Sequence, residues 1–182
     1  MRVIPTTVLT RGRPNPTYLM MPVRLKRELK LRHMSPAQLS MVMKAGPNTV
    51  AQIVAGKRIP RLRMLERLAD ALQVSPAWLA FGQTSAWEPA EQQRCEGLAV
   101  RIKQLREKQG LSLREFGRRA DSSAAALRQL EGGSQPTLDT LEALAKALRV
   151  SPSWLAYGIG DREVPRRGRP HVADSPDSGA LR

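Results

Sequence analysis

The chain has 182 residues, with 30 Lys and Arg against 16 Asp and Glu, a formal net charge of +14. That length holds one ordinary domain or two small ones, and the charge predicts a polyanionic partner. A single cysteine and two distant histidines exclude a disulfide framework and a Cys/His metal centre, and fit a cytosolic, reducing setting. No apolar run approaches the ~18 residues of a membrane span, and the N-terminus carries no signal-peptide core.

In chain order, residues 1–21 hold Pro5, Gly12, Pro14 and Pro16 without helical period, and read as a flexible basic arm. A first unit spans 22–83 and is predicted to carry five helices. The first runs from Val23 to Arg32. Ser35-Pro36-Ala37-Gln38 spells a capping box that opens the second, which reaches about Met43. Ala45-Gly46 make a turn. Pro47 to Ala55 form the third helix, with Val50 and Ile53 inward and Gly56 as its stop. Leu62, Leu65, Leu68 and Leu72 line the fourth, and Ser75-Pro76 opens the fifth.

Residues 84–96 read as linker and the start of the next helix, with a short link over 83–88 and helix from about Pro89. The second unit spans 97–160. Cys95, Leu98, Ile102 and Leu105 share one helix face, and Gly110 ends that helix. Ser112-Leu113-Arg114-Glu115 is again a capping box, with Leu113, Phe116 and Ala120 inward. Asp121-Ser122-Ser123 turn the chain into a helix from Ala124 to Glu131, with Leu127 and Leu130 buried and Gly132-Gly133 behind it. Thr137 caps a fourth helix striped by Leu138, Leu141, Leu144, Ala145 and Leu148, and Ser151-Pro152 opens the fifth. Residues 161–182 are Pro-, Gly- and Ser-rich and read as disordered.

The two units are copies. Residues 68–82, LADALQVSPAWLAFG, return at 144–158 as LAKALRVSPSWLAYG. The offset is 77 up to Gly56/Gly133 and 76 from Pro60/Pro136 onward. The fold class is therefore all-α, as two tandem five-helix domains between flexible arms. Charge is uneven: residues 22–83 carry 11 basic and 3 acidic side chains, net +8, against 10 and 6, net +4, in 97–160.

Two short helices joined by a tight turn, the second closed by Gly, form a helix-turn-helix pattern. Each unit resembles the DNA-binding domain of Cro proteins and lambdoid phage repressors. In the first, the matching stretches are Met34-Ser35-x-x-Gln38-Leu39, Ile53-x-x-Gly56-Lys57-Arg58-Ile59-Pro60 and Leu68-Ala69-x-Ala71-Leu72-x-Val74-Ser75-x-x-Trp78-Leu79. In the second they are Leu111-Ser112-x-x-Glu115-Phe116, Leu130-Glu131-Gly132-Gly133, Pro136-Thr137-Leu138 and Leu144 to Leu155. The resemblance implies that each third helix enters the major groove of double-stranded DNA, where every base pair shows a distinct donor and acceptor pattern.

The base-reading positions so implied are Asn48, Thr49 and Gln52 in the first unit, and Ala124, Ala125, Arg128 and Gln129 in the second. Asn and Gln suit adenine, and Thr and Ala methyls suit the thymine methyl. Gln38, Lys57, Arg58, Arg61, Arg63 and Arg114 are the candidates for gripping phosphates, contacts that fix register and not sequence. The Gln that the family places early in helix two is replaced by Pro36 and Leu113. With Ser134 and Gln135 where the first unit has Lys57 and Arg58, and Glu131 close by, the second unit is expected either to read DNA less strongly or to serve mainly for pairing. The link allows pairing as a homodimer or within one chain, across half-sites about 34 Å apart.

Arg11-Gly12-Arg13-Pro14 and Arg167-Gly168-Arg169-Pro170 repeat one tetrapeptide in both arms. It resembles an AT-hook core, which implies that Arg11, Arg13, Arg167 and Arg169 lie along a narrow A·T minor groove. There is no phosphate loop and no catalytic triad pattern, so no enzyme, cofactor or small-molecule ligand is expected. Double-stranded DNA is the expected partner and repression by promoter occupancy the expected role. Two other readings stay open. One is a protein-binding antiactivator or antitoxin module, for which Trp78/Phe81 and Trp154/Tyr157 offer exposed aromatic ends; these equally suit dimerisation of the fifth helices or core packing, the first choice for the Trp pair. The other is an A·T-preferring nucleoid protein.

Overall fold

A computed structural model describes residues 17–82, 95–160 and 162. The two Arg-Gly-Arg-Pro segments and Pro89 lie outside these residues. The elements, in order, are a 3-10 turn Thr17–Met20, α1 Met21–Leu31, α2 Pro36–Val42, α3 Thr49–Val54, α4 Leu62–Leu72 and α5 Pro76–Phe81. A second 3-10 turn, Cys95–Gly97, then leads into α6 Leu98–Lys108, α7 Leu113–Ala120, α8 Ala124–Glu131, α9 Leu138–Leu148 and α10 Pro152–Tyr157.

The caps form as read. Ser35 and Ser112 each close a reciprocal capping box, with Gln38 and Glu115. Ser75 and Ser151 accept from the N–H of Trp78 and Trp154 behind the N1 prolines. The inward stripes also hold: Leu62, Leu65, Leu68, Leu72 in α4 and Leu138, Leu141, Leu144 in α9 are fully buried. Each such leucine contributes about 1.5–3 kcal/mol over leaving it exposed.

Five details differ from the expectation. Cys95 does not lie on the helix with Leu98, Ile102 and Leu105 but in the 3-10 turn before it, since α6 begins at Leu98. The first arm is shorter than 1–21, because Thr17–Met20 is a helical turn and α1 begins at Met21. The tail does not start at 161, since the Arg162 carbonyl accepts from Ser151 N–H at 2.9 Å and its guanidinium lies 5.0 Å from the Trp154 ring centre. Thr137 stands at the N-cap of α9, but its hydroxyl meets Asp139 and Thr140 and no backbone N–H. And α3 starts at Thr49 instead of Pro47. In the second unit, Ser123 accepts from Ala126 N–H and launches α8 at once. Its counterpart Gly46 has no side chain to do so. The first turn is tied by Thr49 N–H to Gly46 O at 2.9 Å, and Val50 N–H finds Ser40 Oγ at 3.3 Å.

The counterpart of Ser40 is Gly117, and there the backbones approach closely. A Cβ on Gly117 would lie 2.5 Å from the Ser122 carbonyl oxygen. Gly117→Ala is therefore expected to displace the α7–α8 turn and destabilise the protein by about 1–3 kcal/mol, as overpacking does. An unchanged urea midpoint would contradict that.

The units meet across a seam whose contacts come in matched pairs. Leu62 N–H donates to Pro136 O at 3.1 Å, and Leu138 N–H to Pro60 O at 3.3 Å, flanking an antiparallel bridge between Arg61 and Thr137. Cys95 N–H donates to Glu66 Oε1 at 2.7 Å, and Tyr18 N–H to Glu142 Oε1 at 2.9 Å. Pro60 and Pro136, Leu62 and Leu138, Glu66 and Glu142, Tyr18 and Cys95 are equivalent in the repeat. Each contact is thus made twice with the roles exchanged, the signature of a two-fold relation. α5 packs against α10 beside it. Cys95 is buried there, its thiol donating to Gln135 Oε1 at 3.0 Å, and burial pushes the thiol up to about 12. A group held so firmly protonated is a poor nucleophile.

Candidate nucleic-acid interface

The interface is built from the short third helices and what flanks them. Their buried sides are Val50 and Ile53 in α3, and Leu127 and Leu130 in α8. Helical geometry then turns the residues between these outward. Asn48 and Gln52 are exposed in the first unit, and Ala125, Arg128 and Gln129 in the second. Asn48 occupies the N-cap position of α3, yet its side chain makes no capping hydrogen bond.

Thr49 does not join them. It is 9% exposed. The late start of α3 turns its side chain beneath the Gly46 corner, where its Oγ1 would lie 3.3 Å from a Cβ on Gly46. Its counterpart Ala126 is half-buried. The outward set is therefore smaller than the sequence suggested, and Thr49 is a packing residue. Ala124 is also half-buried, at the start of α8.

The cationic candidates are all at the surface: Lys57, Arg58, Arg61 and Arg63 around the α3–α4 loop, and Arg114 on α7. Gln38 is exposed as well, but its Oε1 is taken by Ser35 N–H at 2.7 Å, so only its amide nitrogen is left for a phosphate.

Other arginines are withdrawn into the protein, and sequence reading did not separate them. Arg24 donates to the carbonyls of Leu79 and Ala80, and its repeat equivalent Arg101 to those of Leu155 and Ala156. Both close the C-terminal end of a fifth helix, a placement that favours a cation. Burial lowers both guanidinium pKa values. Arg67 stays exposed, yet its guanidinium donates to Met43 O. The signal was in the repeat, because Arg24 and Arg101 are equivalent.

Glu131 corrects a second expectation. Its carboxylate takes two hydrogen bonds from Arg106, at 2.6 and 3.0 Å, and its side chain is only 11% exposed. Arg106 also donates to Leu111 O at 3.0 Å, and the carboxylate raises its pKa. The charge is turned inward and paired, so it does not repel a phosphate at the α8 surface. The aromatic ends pack inward. Trp78 and Trp154 lie against the core, as the core-packing reading expects, and Phe81 and Tyr157 are buried, so the fifth helices present no exposed aromatic face.

Among the described residues no group of His, Cys, Asp and Glu could hold a metal ion, and no helix is long and apolar enough to cross a membrane. No solved structure matches the chain. The helix-turn-helix family matches it twice, over residues 25–79 and 102–155. These stretches cover more than half the sequence and fall on the same five-helix plan in each copy. The chain belongs to the helix-turn-helix family of Cro and phage-repressor type, a family of DNA-binding regulators, and carries its domain in two tandem copies.

Proposed function

We propose that this protein is a sequence-specific repressor that occupies promoter DNA, and that its two units act as an internal pair on one bipartite, asymmetric site. The observation that carries this reading is the seam. Its contacts are reciprocal, while the outward residues of the third helices, Asn48 and Gln52 against Ala125, Arg128 and Gln129, differ. A paired scaffold with unlike readers fits two unlike half-sites. The first unit offers amides suited to adenine. The second offers a methyl for thymine, a guanidinium for guanine and one amide.

The test is selection from a random duplex library, followed by native mass spectrometry of the complex. The expected outcome is a non-palindromic bipartite motif occupied by one chain. A palindrome holding two chains would overturn the internal pair. A·T-rich duplexes without a motif would favour the nucleoid reading, and no retained duplex the protein-binding one. Placing the selected site across a promoter should then lower transcript yield in a purified transcription reaction, and unchanged or raised yield would remove the repressor role.

A further inference from the structure

The two copies cluster their exposed cations on opposite edges of the helix-turn-helix. In the first unit they surround the α3–α4 loop, as Lys57, Arg58, Arg61 and Arg63. The second unit has Ser134, Gln135, Thr137 and Asp139 at those places. On the second helix the pattern inverts. Arg114, Arg118 and Arg119 of α7 are all exposed, where α2 has Ala37, Met41 and Val42. Met41 is 78% and Val42 61% exposed, so that face of α2 is apolar, although exposed Lys44 follows it at the corner where the second unit has Asp121.

None of these seven cationic side chains has a hydrogen bond or ion pair among the described residues, whereas Arg24, Arg67, Arg101 and Arg106 are all held by protein carbonyls. Arg114 and Arg118 are one helical turn apart and share a face. They line an open cleft of about 890 Å³ at the α7–α8 corner, with Ser122, Ser123 and Asp121. The start of α8 opens onto the same cleft, so its positive dipole end adds to the two guanidinium groups. Asp121 subtracts one charge, leaving the cleft net positive. Nearby Glu115 is engaged by Ser112, whose side chain first and N–H second, the latter at 2.8 Å, hold its carboxyl below the usual range together with Arg118 and Arg119.

Position along the site follows from the seam. The first unit's cations flank Pro60–Leu62, which bond across to the second unit. The seam hydrogen bonds come from these loops, from α4 and α9, and from the 3-10 turns; α7 supplies none.

We propose that the second unit grips the DNA backbone through Arg114, Arg118 and Arg119, with a phosphate seated in the α7–α8 cleft, while the first unit grips it through the α3–α4 loop. The inference rests on the DNA-binding reading above. It makes the phosphate footprint one-sided: central beside the first unit, and extended outward beside the second.

Salt dependence on a random-sequence 40-bp duplex tests it without knowledge of the operator. Replacing Arg114, Arg118 and Arg119 by Gln should make the slope of log affinity against log salt shallower by about 2.7, or roughly 0.9 per phosphate contact. Replacing the three by Lys should keep the slope, since charge is preserved. All three are exposed, and circular dichroism melting of the variant checks the fold. Phosphate ethylation interference on a library-selected duplex should then show contacts beyond the second half-site that vanish in the Gln variant. An unchanged slope, or interference placed symmetrically about the centre, would overturn the proposal while leaving DNA binding intact. A parent chain that binds no duplex would overturn both.

Discussion

Replacing Asn48 and Gln52 together by alanine is expected to abolish sequence-specific binding and to leave binding to random DNA close to that of the parent chain. Both side chains are exposed, and Asn48 makes no capping bond, so folding should be unaffected. Each lost bidentate base contact is worth about 1–3 kcal/mol, so the pair removes roughly 2–6 kcal/mol of discrimination. The phosphate-gripping cations that supply non-specific affinity remain. Competition titration of a selected duplex against random DNA at one salt concentration measures both quantities. An equal loss on the two would mean that α3 does not read bases. Thr49→Ala in the same assay should alter stability more than selectivity, because Thr49 is buried.

The second large effect concerns the fold of the second unit. Arg106→Ala strands the Glu131 carboxylate, which is 11% exposed, and also frees Leu111 O. Removing one partner of a nearly buried pair typically costs about 3–5 kcal/mol. The first unit has solved the same position without charge, since Leu29 and Val54 stand where Arg106 and Glu131 do. The double replacement Arg106→Leu with Glu131→Val should therefore recover most of the loss. Urea denaturation of the single and double variants decides. A single variant within about 1 kcal/mol of the parent, or a double variant as unstable as the single, would show that the pair contributes little.

What the sequence made legible was local. Capping boxes at Ser35 and Ser112, proline starts at Pro76 and Pro152, and leucine stripes in α4 and α9 are decided within a few residues, and all formed as read. The helix-turn-helix plan follows from them. What escaped reading depends on a neighbour distant in sequence or on one missing atom group. Glu131 looked like a surface charge until Arg106, 25 positions earlier, turned it inward. Thr49 looked like a reader because Pro47 looked like a helix start. Without a hydroxyl at position 46 the helix begins two residues later and Thr49 rotates under the turn. Phe81 and Tyr157 looked exposed because the elements that α5 and α10 pack against, such as α1 and α6, lie far along the chain. The arginines were hardest to sort. An arginine that closes a helix end and one that faces solvent differ only in which carbonyls lie within reach.

The paired contacts at Pro60–Leu62 and Pro136–Leu138 have a consequence for dose. Where two separate chains must meet before they can act, dilution dissolves the pair as well as thinning it out, and the response to protein level is steep. In the internal pair proposed above, each unit would find its mate on the same polypeptide, at an effective concentration of millimolar order. Halving the number of molecules would then halve the number of assembled pairs and leave each pair intact. On that reading, a cell that makes this chain in small numbers would obtain a graded output, proportional to copy number, instead of a threshold.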